Sequence, residues 1–383
     1  MYPSDANGTI PGAGEGARCT AASIAARKLT FVTDLWLAEG SYEGPAVGLN
    51  ATMGGSGFEE ALFTERAVGL IHNHTSSAPF FLYYAMHLLH SPLCAPPDHL
   101  DRFAFIENED RRYVAAMVAF MDESVGKVVG ALKDANMWAN TLFVWSSDNG
   151  AAIELTTGAK SAYPLKGGYY TNWEGGVRAP GLVAGGFVPA AARGTTAAGL
   201  MHLCDFVATF CAVGGCDPTD ASAAAAGLPP VDSLDLWPHL SGQNASSPRT
   251  EVWLTPLSGD RYNGTQGRSG DAAIIVGRHK LIVGDIGQSS WTGPVYPNAS
   301  HWPTWATIEN CTTPQKVGCL FDIFDDPTEH HDLAAAKPDV AAALLARLEA
   351  LEATKFDPPR GAPDAKSCDA LWDNGGYWGP WLK

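Results

Sequence analysis

The segment Asn140-Thr-Leu-Phe-Val-Trp-Ser-Ser147 leads directly into Asp148-Asn149-Gly150. Its β-branched and aromatic residues predict a buried strand, and Asp-Asn-Gly is typical of a turn that ends one. Open α/β sheets bind ligands at the carboxyl ends of their strands, and a carboxylate beside an amide carbonyl suits a hard cation. The segment therefore predicts a calcium or other divalent metal site with Asp148 and Asn149 as ligands, although the same three residues are also common in ordinary turns.

Two patterns that precede this strand predict the sheet around it. Residues 79–86 form a continuous apolar run, which is typical of a parallel strand covered on both faces. Residues 109–137 place their apolar side chains on one helical face and return the chain to the strand at residue 140. The order strand, helix, strand predicts a βαβ unit in a mainly parallel sheet.

The last third of the chain predicts a smaller unit. Its β-branched runs predict antiparallel strands at residues 251–255, 272–276 and 280–283. Apolar residues at helical spacing follow Pro338, and proline is accepted in the first turn of a helix. We therefore expect a large domain at residues 1–247 and a smaller one, an antiparallel sheet with a helix, at residues 248–383.

A second conspicuous segment, Tyr163-Pro-Leu-Lys-Gly-Gly-Tyr-Tyr-Thr-Asn-Trp-Glu-Gly-Gly-Val-Arg-Ala-Pro180, follows the Asp148 turn. In this order and spacing, the two segments resemble the sulfatases, and among them the arylsulfatase B (N-acetylgalactosamine-4-sulfatase) type. That family carries Ser-x-Asp-Asn-Gly at a strand end, followed by Pro-Leu-Arg-Gly-x-Lys and Trp-Glu-Gly-Gly-Val-Arg. The resemblance covers residues from about 58 to the C-terminus, and implies an alkaline-phosphatase/sulfatase-like α/β fold.

The resemblance also implies a reaction and a set of site residues. Sulfatases hydrolyse sulfate esters with a formylglycine, and a divalent cation, usually calcium, neutralises the sulfate oxygens. Asp148 and Asn149 align with ligands of that cation. His90 aligns with the histidine that contacts the ester and assists the leaving alcohol. Tyr169 stands where the family has a lysine, so the remaining candidate for a catalytic cation is Lys166, at the family's arginine position.

Parts of the family's machinery are not found in this sequence. None of the eight cysteines begins the Cys/Ser-x-Pro/Ala-x-Arg motif that becomes formylglycine, and no Asp-Asp pair follows an N-terminal strand. One hypothesis is therefore a portion of a sulfate ester hydrolase, acting on a sulfated carbohydrate or an aryl sulfate. The alternative is a catalytically inactive sulfatase-like protein that binds glycans. Tyr169 favours the alternative, and the absence of a basic run weakens it.

Composition sets the wider limits. A formal net charge of -16 without a Lys/Arg run argues against nucleic-acid binding, and no apolar run is long enough for a transmembrane helix. Scattered cysteines and seven Asn-x-Ser/Thr sites predict a secreted or lysosomal glycoprotein. Because Met1-Tyr-Pro-Ser-Asp-Ala lacks the features of a signal peptide, we expect that a preceding section belongs to the natural protein.

Overall fold

The structure is a computed structural model of the chain, and it describes residues 36–45, 58–75, 78–91, 93–153, 160–257, 271–293, 307–355 and 373. The chain divides into two compact units. The first contains Met1–Met137, Leu155–Ala159 and Pro359–Lys383, and the second contains Trp138–Glu154 and Lys160–Pro358. The expected domain boundary at residue 247 stays a prediction.

The first unit is mainly helical in its described part. Its elements are the hairpin β1 (Trp36–Glu39) and β2 (Tyr42–Pro45), and the helices α1 (Glu59–His72), α2 (Pro97–Arg102) and α3 (Glu109–Asp134). Helix α3 confirms the predicted helix at residues 109–137. It begins where the Asn108 side chain accepts a hydrogen bond from the backbone of Arg111 at 2.9 Å, which satisfies one unpaired N–H of the first turn. Its face centred on Met117 packs with Leu93 in a buried cluster.

The prediction of a parallel strand at residues 79–86 is wrong, because the structure forms no strand there and the segment is not covered on both faces. Exposure alternates along it, so that Phe81 and Tyr83 are 73% and 82% exposed, while the Tyr84 hydroxyl bonds Thr64 Oγ1 of α1 at 2.9 Å. No strand pairs with it among the residues that the structure describes. The segment therefore packs one face against the rest of the first unit and leaves the other face open to solvent.

The second unit begins with the strand that follows residue 140. The elements up to the C-terminal sheet are β3 (Phe143–Ser146), α4 (Glu174–Val177), β4 (Gly181–Ala184), α5 (Asp205–Gly214), α6 (Ala221–Ala225) and α7 (Trp237–Leu240). Strand β3 pairs antiparallel with β4, because the chain returns alongside it at Pro180. All strand pairs among the described residues are antiparallel, so the expected parallel pairing does not occur in this part of the chain.

The C-terminal sheet agrees closely with the sequence pattern. Its elements are β5 (Glu251–Thr255), β6 (Ala272–Val276), β7 (His279–Val283), β8 (Asp285–Ile286), β9 (Glu309–Asn310), β10 (Cys319–Asp322) and α8 (Pro338–Glu352). Four of the strands form one antiparallel sheet in the order β10, β7, β6, β5. Leu344 and Leu348 of α8 cover one face of this sheet. Trp173 packs with residues of the other face, including Ile282 and Phe321.

Two further features complete the fold. A disulfide joins Cys311 to Cys319 and so connects β9 to β10. Among the described helices, none combines the length and apolar character required to cross a bilayer.

Candidate active site

The predicted metal ligands lie on a loop that follows β3 directly. Asp148 is exposed and Asn149 is half-buried. The backbone N–H of Ser147 donates to Pro180 O at 3.2 Å, and the Ser147 hydroxyl donates to Asn149 O at 2.9 Å. A carboxylate and an amide on a fixed, accessible loop offer the oxygen ligands that calcium prefers.

Glycines bring this loop into direct contact with the Trp-Glu-Gly-Gly segment. The N–H of Gly150 donates to Gly176 O at 2.9 Å, and a Cβ at Gly150 would lie 1.9 Å from Gly175 O. At the next residue of the loop, Ala151 O accepts a hydrogen bond from the N–H of Tyr169 at 2.8 Å. Only glycine permits backbones to approach this closely, so the two motifs that the sequence analysis singled out form one packed substructure.

The negative charge of Asp148 affects the pKa values of two polar side chains. Burial raises the pKa of Tyr169 to about 12, and a hydrogen bond with Tyr170 and the negative charge of Asp148 act in the same direction. Burial lowers the pKa of Lys160 to about 8, while the negative charge of Asp148 opposes this effect. Tyr169 is therefore neutral at physiological pH, and Lys160 is a cation in the electrostatic surroundings of the loop.

Lys166, the predicted catalytic cation, has buried surroundings of its own. Its side chain is 3% exposed and forms an ion pair with Glu309. Its ammonium lies 3.8 Å from the ring centroid of Trp173 and 5.0 Å from that of Trp291. Because a carboxylate and two aromatic rings already stabilise this charge, the arrangement favours a structural role for Lys166 over the predicted contact with a sulfate ester.

The glutamate of the Trp-Glu-Gly-Gly segment belongs to a buried ion triad. The Lys280 ammonium donates to Glu174 Oε1 at 2.9 Å and lies 2.9 Å from Glu329 Oε1, and Glu329 Oε2 accepts the backbone N–H of Glu174 at 2.7 Å. Burial opposes the charge of Lys280, but the two carboxylates raise its pKa. Burial raises the pKa of Glu329 to about 7 despite the lysine. The triad fixes the segment to the C-terminal sheet.

His90, the predicted leaving-group acid, lies in the first unit. It follows the extended residues 79–86 and is exposed. Its Nδ1 lies 2.6 Å from Ser91 O, and since a carbonyl only accepts, Nδ1 carries the proton in this contact. The backbone N–H of His90 donates to His87 O at 2.9 Å. In this neutral form Nε2 carries no proton and can accept one.

The other motif histidines have structural contacts. His87 Nδ1 bonds Glu59 at 3.1 Å, and its backbone N–H donates to buried Glu60 at 2.6 Å. Asp205 is fully buried and forms a bidentate ion pair with Arg249. The same carboxylate accepts the N–H of His202 at 2.8 Å. These contacts indicate a packing role for Asp205.

Sequence reasoning missed Lys160. No motif contains it, and the segment between Asp148 and Lys160 gives no periodicity that would predict their proximity. The short sequence separation was the one available signal, because Lys160 lies in the connection between the motif that contains Asp148 and the motif that begins at Tyr163. A different cluster also proves unsuitable for a metal: Glu309, Cys311 and Cys319 lie close together among the described residues, but their two sulfurs are joined in the disulfide.

Known proteins that resemble this chain are sulfatases. The sulfatase family model matches residues 28–216. Arylsulfatase J of Mus musculus is 31% identical over 337 residues, which cover 85% of this chain and 54% of that protein. Arylsulfatase A of Homo sapiens is 30% identical over 273 residues, which cover 70% of this chain and 47% of that protein. The chain is therefore similar in sequence to sulfatases, and it spans about half the length of these curated relatives.

Solved structures show the same fold. Ps i-CgsB in complex with k-i-k-neocarrahexaose gives a TM-score of 0.59 at 24% identity, and the match covers 82% of this chain and 59% of that one. The PsFucS1 sulfatase from Pseudoalteromonas sp. gives 0.54 at 20% identity, with coverage of 78% and 53%. BT4656, solved with its substrate D-glucosamine-2-N,6-O-disulfate, gives 0.53 at 15% identity, with coverage of 80% and 72%. The predicted alkaline-phosphatase/sulfatase-like α/β fold is confirmed.

Proposed function

We propose that this chain is part of a sulfuric ester hydrolase that acts on sulfated carbohydrates, with Asp148 and Asn149 as two ligands of a calcium or other divalent cation. The observation that carries the proposal is the packing of the Asp148-Asn149-Gly150 loop against the Trp-Glu-Gly-Gly segment, where Gly150 N–H bonds Gly176 O at 2.9 Å. Ordinary turns do not require such a glycine-lined partner. The family matches, and the substrate D-glucosamine-2-N,6-O-disulfate of one structural relative, support the same substrate class.

The residues of this chain have separate tasks in the proposed reaction. A bound cation would neutralise negative charge on the sulfate. Asp148 and Asn149 would hold this cation from a loop that is itself fixed by hydrogen bonds. His90 in its doubly protonated form would donate the Nε2 proton to the leaving oxygen, while its Nδ1–H stays bonded to Ser91 O. Tyr169 would offer a neutral hydroxyl where related sequences have a cation. None of the eight cysteines begins the formylglycine motif, so we assign no cysteine of this chain as the nucleophile.

Finer features of the resemblance belong to the same proposal. The sequence motifs favour the arylsulfatase B type, although the relatives also include the N-acetylgalactosamine-6-sulfatase of Sus scrofa, at 30% identity over 50% of this chain. The Asn-x-Ser/Thr sites favour a glycoprotein of the secretory route. Calcium is the preferred cation because both assigned ligands are hard oxygen donors.

Calcium binding tests the proposal without relying on turnover. Isothermal titration with calcium chloride should show binding to the chain that weakens at least about tenfold in Asp148→Ala, a loss of about 1.4 kcal/mol. Asp339→Ala removes an exposed carboxylate on α8 and serves as the matched control. Equal affinity in the wild type and both variants, or no binding at all, would contradict the metal assignment.

The second candidate function is glycan binding without hydrolysis. It is favoured by Tyr169, because a phenol is neutral when protonated and negative when ionised, so it supplies no positive charge to a sulfate ester at any pH. Because no nucleophile is assigned in this chain, sulfate release from a sulfated oligosaccharide is measured by ion chromatography on a longer protein that contains the chain together with a formylglycine motif, beside a direct binding measurement. Binding with no sulfate release by that protein supports the second candidate, and release that depends on His90 supports the first.

A further inference from the structure

Helix α5 ends in a turn that folds the chain back on itself. Gly215 adopts a left-handed conformation with φ of 73°, and its N–H bonds Cys211 O. The N–H of Cys216 donates to the same carbonyl at 2.9 Å. Left-handed glycine is a common end to a helix, and here it returns Cys216 to the last turn of α5, beside Cys211.

The two side chains meet at this turn. Their thiols are within hydrogen-bonding reach, and this contact raises the pKa of the Cys211 thiol. Both are free thiols in this structure; Cys211 is partly buried and Cys216 is exposed. Solvent therefore reaches the pair, so a reagent that exchanges disulfides can reach it as well.

We propose that Cys211 and Cys216 are a disulfide-forming site that closes the C-terminal turn of α5. The oxidant is a disulfide donor, such as oxidised glutathione or a protein disulfide. One cysteine thiolate attacks the donor, forms a mixed disulfide and releases the first donor thiol. The second cysteine then attacks its neighbour's sulfur and releases the other donor thiol. The two cysteines lose two protons and two electrons in total, and the donor gains them as its two thiols.

The third free thiol has different surroundings. Cys204 lies at the opposite end of α5, where its sulfur is 3.0 Å from His202 Nδ1 and 3.8 Å from Arg249 Nη2. Burial raises the pKa of Cys204, and the carboxylate of Asp205 acts in the same direction. Among the described residues, no second free thiol lies beside Cys204, because Cys211 and Cys216 are at the other end of the helix. Cys204 is therefore the internal control that should form no intramolecular disulfide.

The sequence allows a direct test by peptide mass. Cleavage on the amino side of aspartate releases Asp205–Cys216, a peptide with Cys211 and Cys216 as its two cysteines and without Cys204. The intact chain is equilibrated with oxidised glutathione, denatured in N-ethylmaleimide and digested. We expect this peptide two hydrogen masses below its reduced form and unlabelled, while Cys204 carries a label. In Cys216→Ser, Cys211 should carry a label or glutathione instead.

Two results would overturn the proposal. The first is a peptide with two maleimide labels after oxidation, which means that both thiols remain reduced. The second is a cross-link of either cysteine to Cys204 or to a second chain. Native reduction gives an independent readout: dithiothreitol should open the exposed Cys211–Cys216 bond before the buried Cys311–Cys319 bond, both of whose residues are fully buried. The opposite order would equally count against it.

Discussion

Two segments carry strong family motifs, and the fold treats them in opposite ways. Residues 166–177 are packed into the second unit, where Trp173 is fully buried and Glu174 is 3% exposed. Residues 79–91 run extended with one open face, where Tyr83 is 82% exposed. The first segment holds its charges in ion pairs away from water, and the second presents His90 to solvent. A motif of equal strength in sequence can therefore mark a scaffold or an accessible chemical group.

This difference separates residues by what they contact. Lys166 and Glu174 both face partners inside the chain, whereas Asp148 and His90 are exposed. Measurements of stability and activity can test this difference between buried and exposed residues. If it holds, substitutions in the buried segment reduce stability, and substitutions on the open face of residues 79–91 leave it unchanged.

The largest effect is expected at Lys280. Lys280→Met leaves Glu174 and Glu329 buried together without their cation, and breaking a buried ion pair from one side costs about 3–5 kcal/mol. Urea unfolding followed by tryptophan fluorescence measures the loss. The matched control is Arg347→Met, which breaks an exposed pair with Glu251 and should cost about 1 kcal/mol or less. Equal losses in the two variants would refute the buried role of the triad.

Lys166→Met should have the next largest effect. It removes a buried charge from Glu309 and from the ring of Trp173, and because Glu309 is 31% exposed and can regain water, we expect a loss of about 2–3 kcal/mol. The exposed Lys127 gives the control variant Lys127→Met, with little change. A Lys166→Met chain of normal stability would contradict the structural role and would favour the predicted catalytic role of this residue.

The pH dependence of stability should show the triad as well. The pKa of Glu329 rises from 4.5 to about 7 on folding. Between these two pH values the carboxyl group is therefore mainly protonated in the folded chain and mainly ionised in the unfolded chain. The stabilisation is complete below the lower value and is lost as pH rises through the higher one. We expect the free energy of unfolding to fall by about 1–3 kcal/mol from about pH 5 to about pH 8.

Glu329→Gln serves as the comparison for that measurement. Its side chain cannot titrate, so the variant should lose the part of the pH dependence that comes from residue 329. Urea unfolding at both pH values, in the wild type and the variant, gives the difference. An identical pH profile in the two proteins would mean that Glu329 does not change its protonation on folding.

The smallest effect is expected on the open face of the extended segment. Tyr83→Ser removes an exposed ring and should change stability by no more than about 0.5 kcal/mol. Tyr84→Phe, one residue further on, removes the hydroxyl that bonds Thr64 at 2.9 Å and should cost about 1 kcal/mol. A larger loss at Tyr83 than at Tyr84 would show that the supposedly open face is covered in solution.

Local patterns predicted local structure well. The helix expected at residues 109–137 forms as Glu109–Asp134, and the runs at residues 251–255 and 272–276 form strands with those bounds. Side-chain period determines such elements, because a helix repeats every 3.6 residues and a strand every two. The closing helix after Pro338 was equally visible, since proline is accepted in a first turn.

Contacts between distant residues were not predictable from the sequence. The antiparallel pairing of β3 with β4 depends on where Pro180 returns the chain. The burial of Lys166 depends on Glu309, which lies 143 residues further along the sequence. Nothing in the local pattern of either segment specifies these partners, because a lysine that faces a ligand and a lysine that faces a buried carboxylate have the same neighbours in sequence.

The buried triad has a consequence for expressing parts of this protein. Glu174 and its partner Lys280 are 106 residues apart, and Glu329 follows 155 residues after Glu174. A recombinant fragment that stops at the expected boundary, residue 247, would keep Glu174 and Trp173 but remove the lysine and the sheet that cover them. Such a fragment would expose an uncompensated charge and a large aromatic surface, so the boundary between predicted domains is not a place to divide the chain.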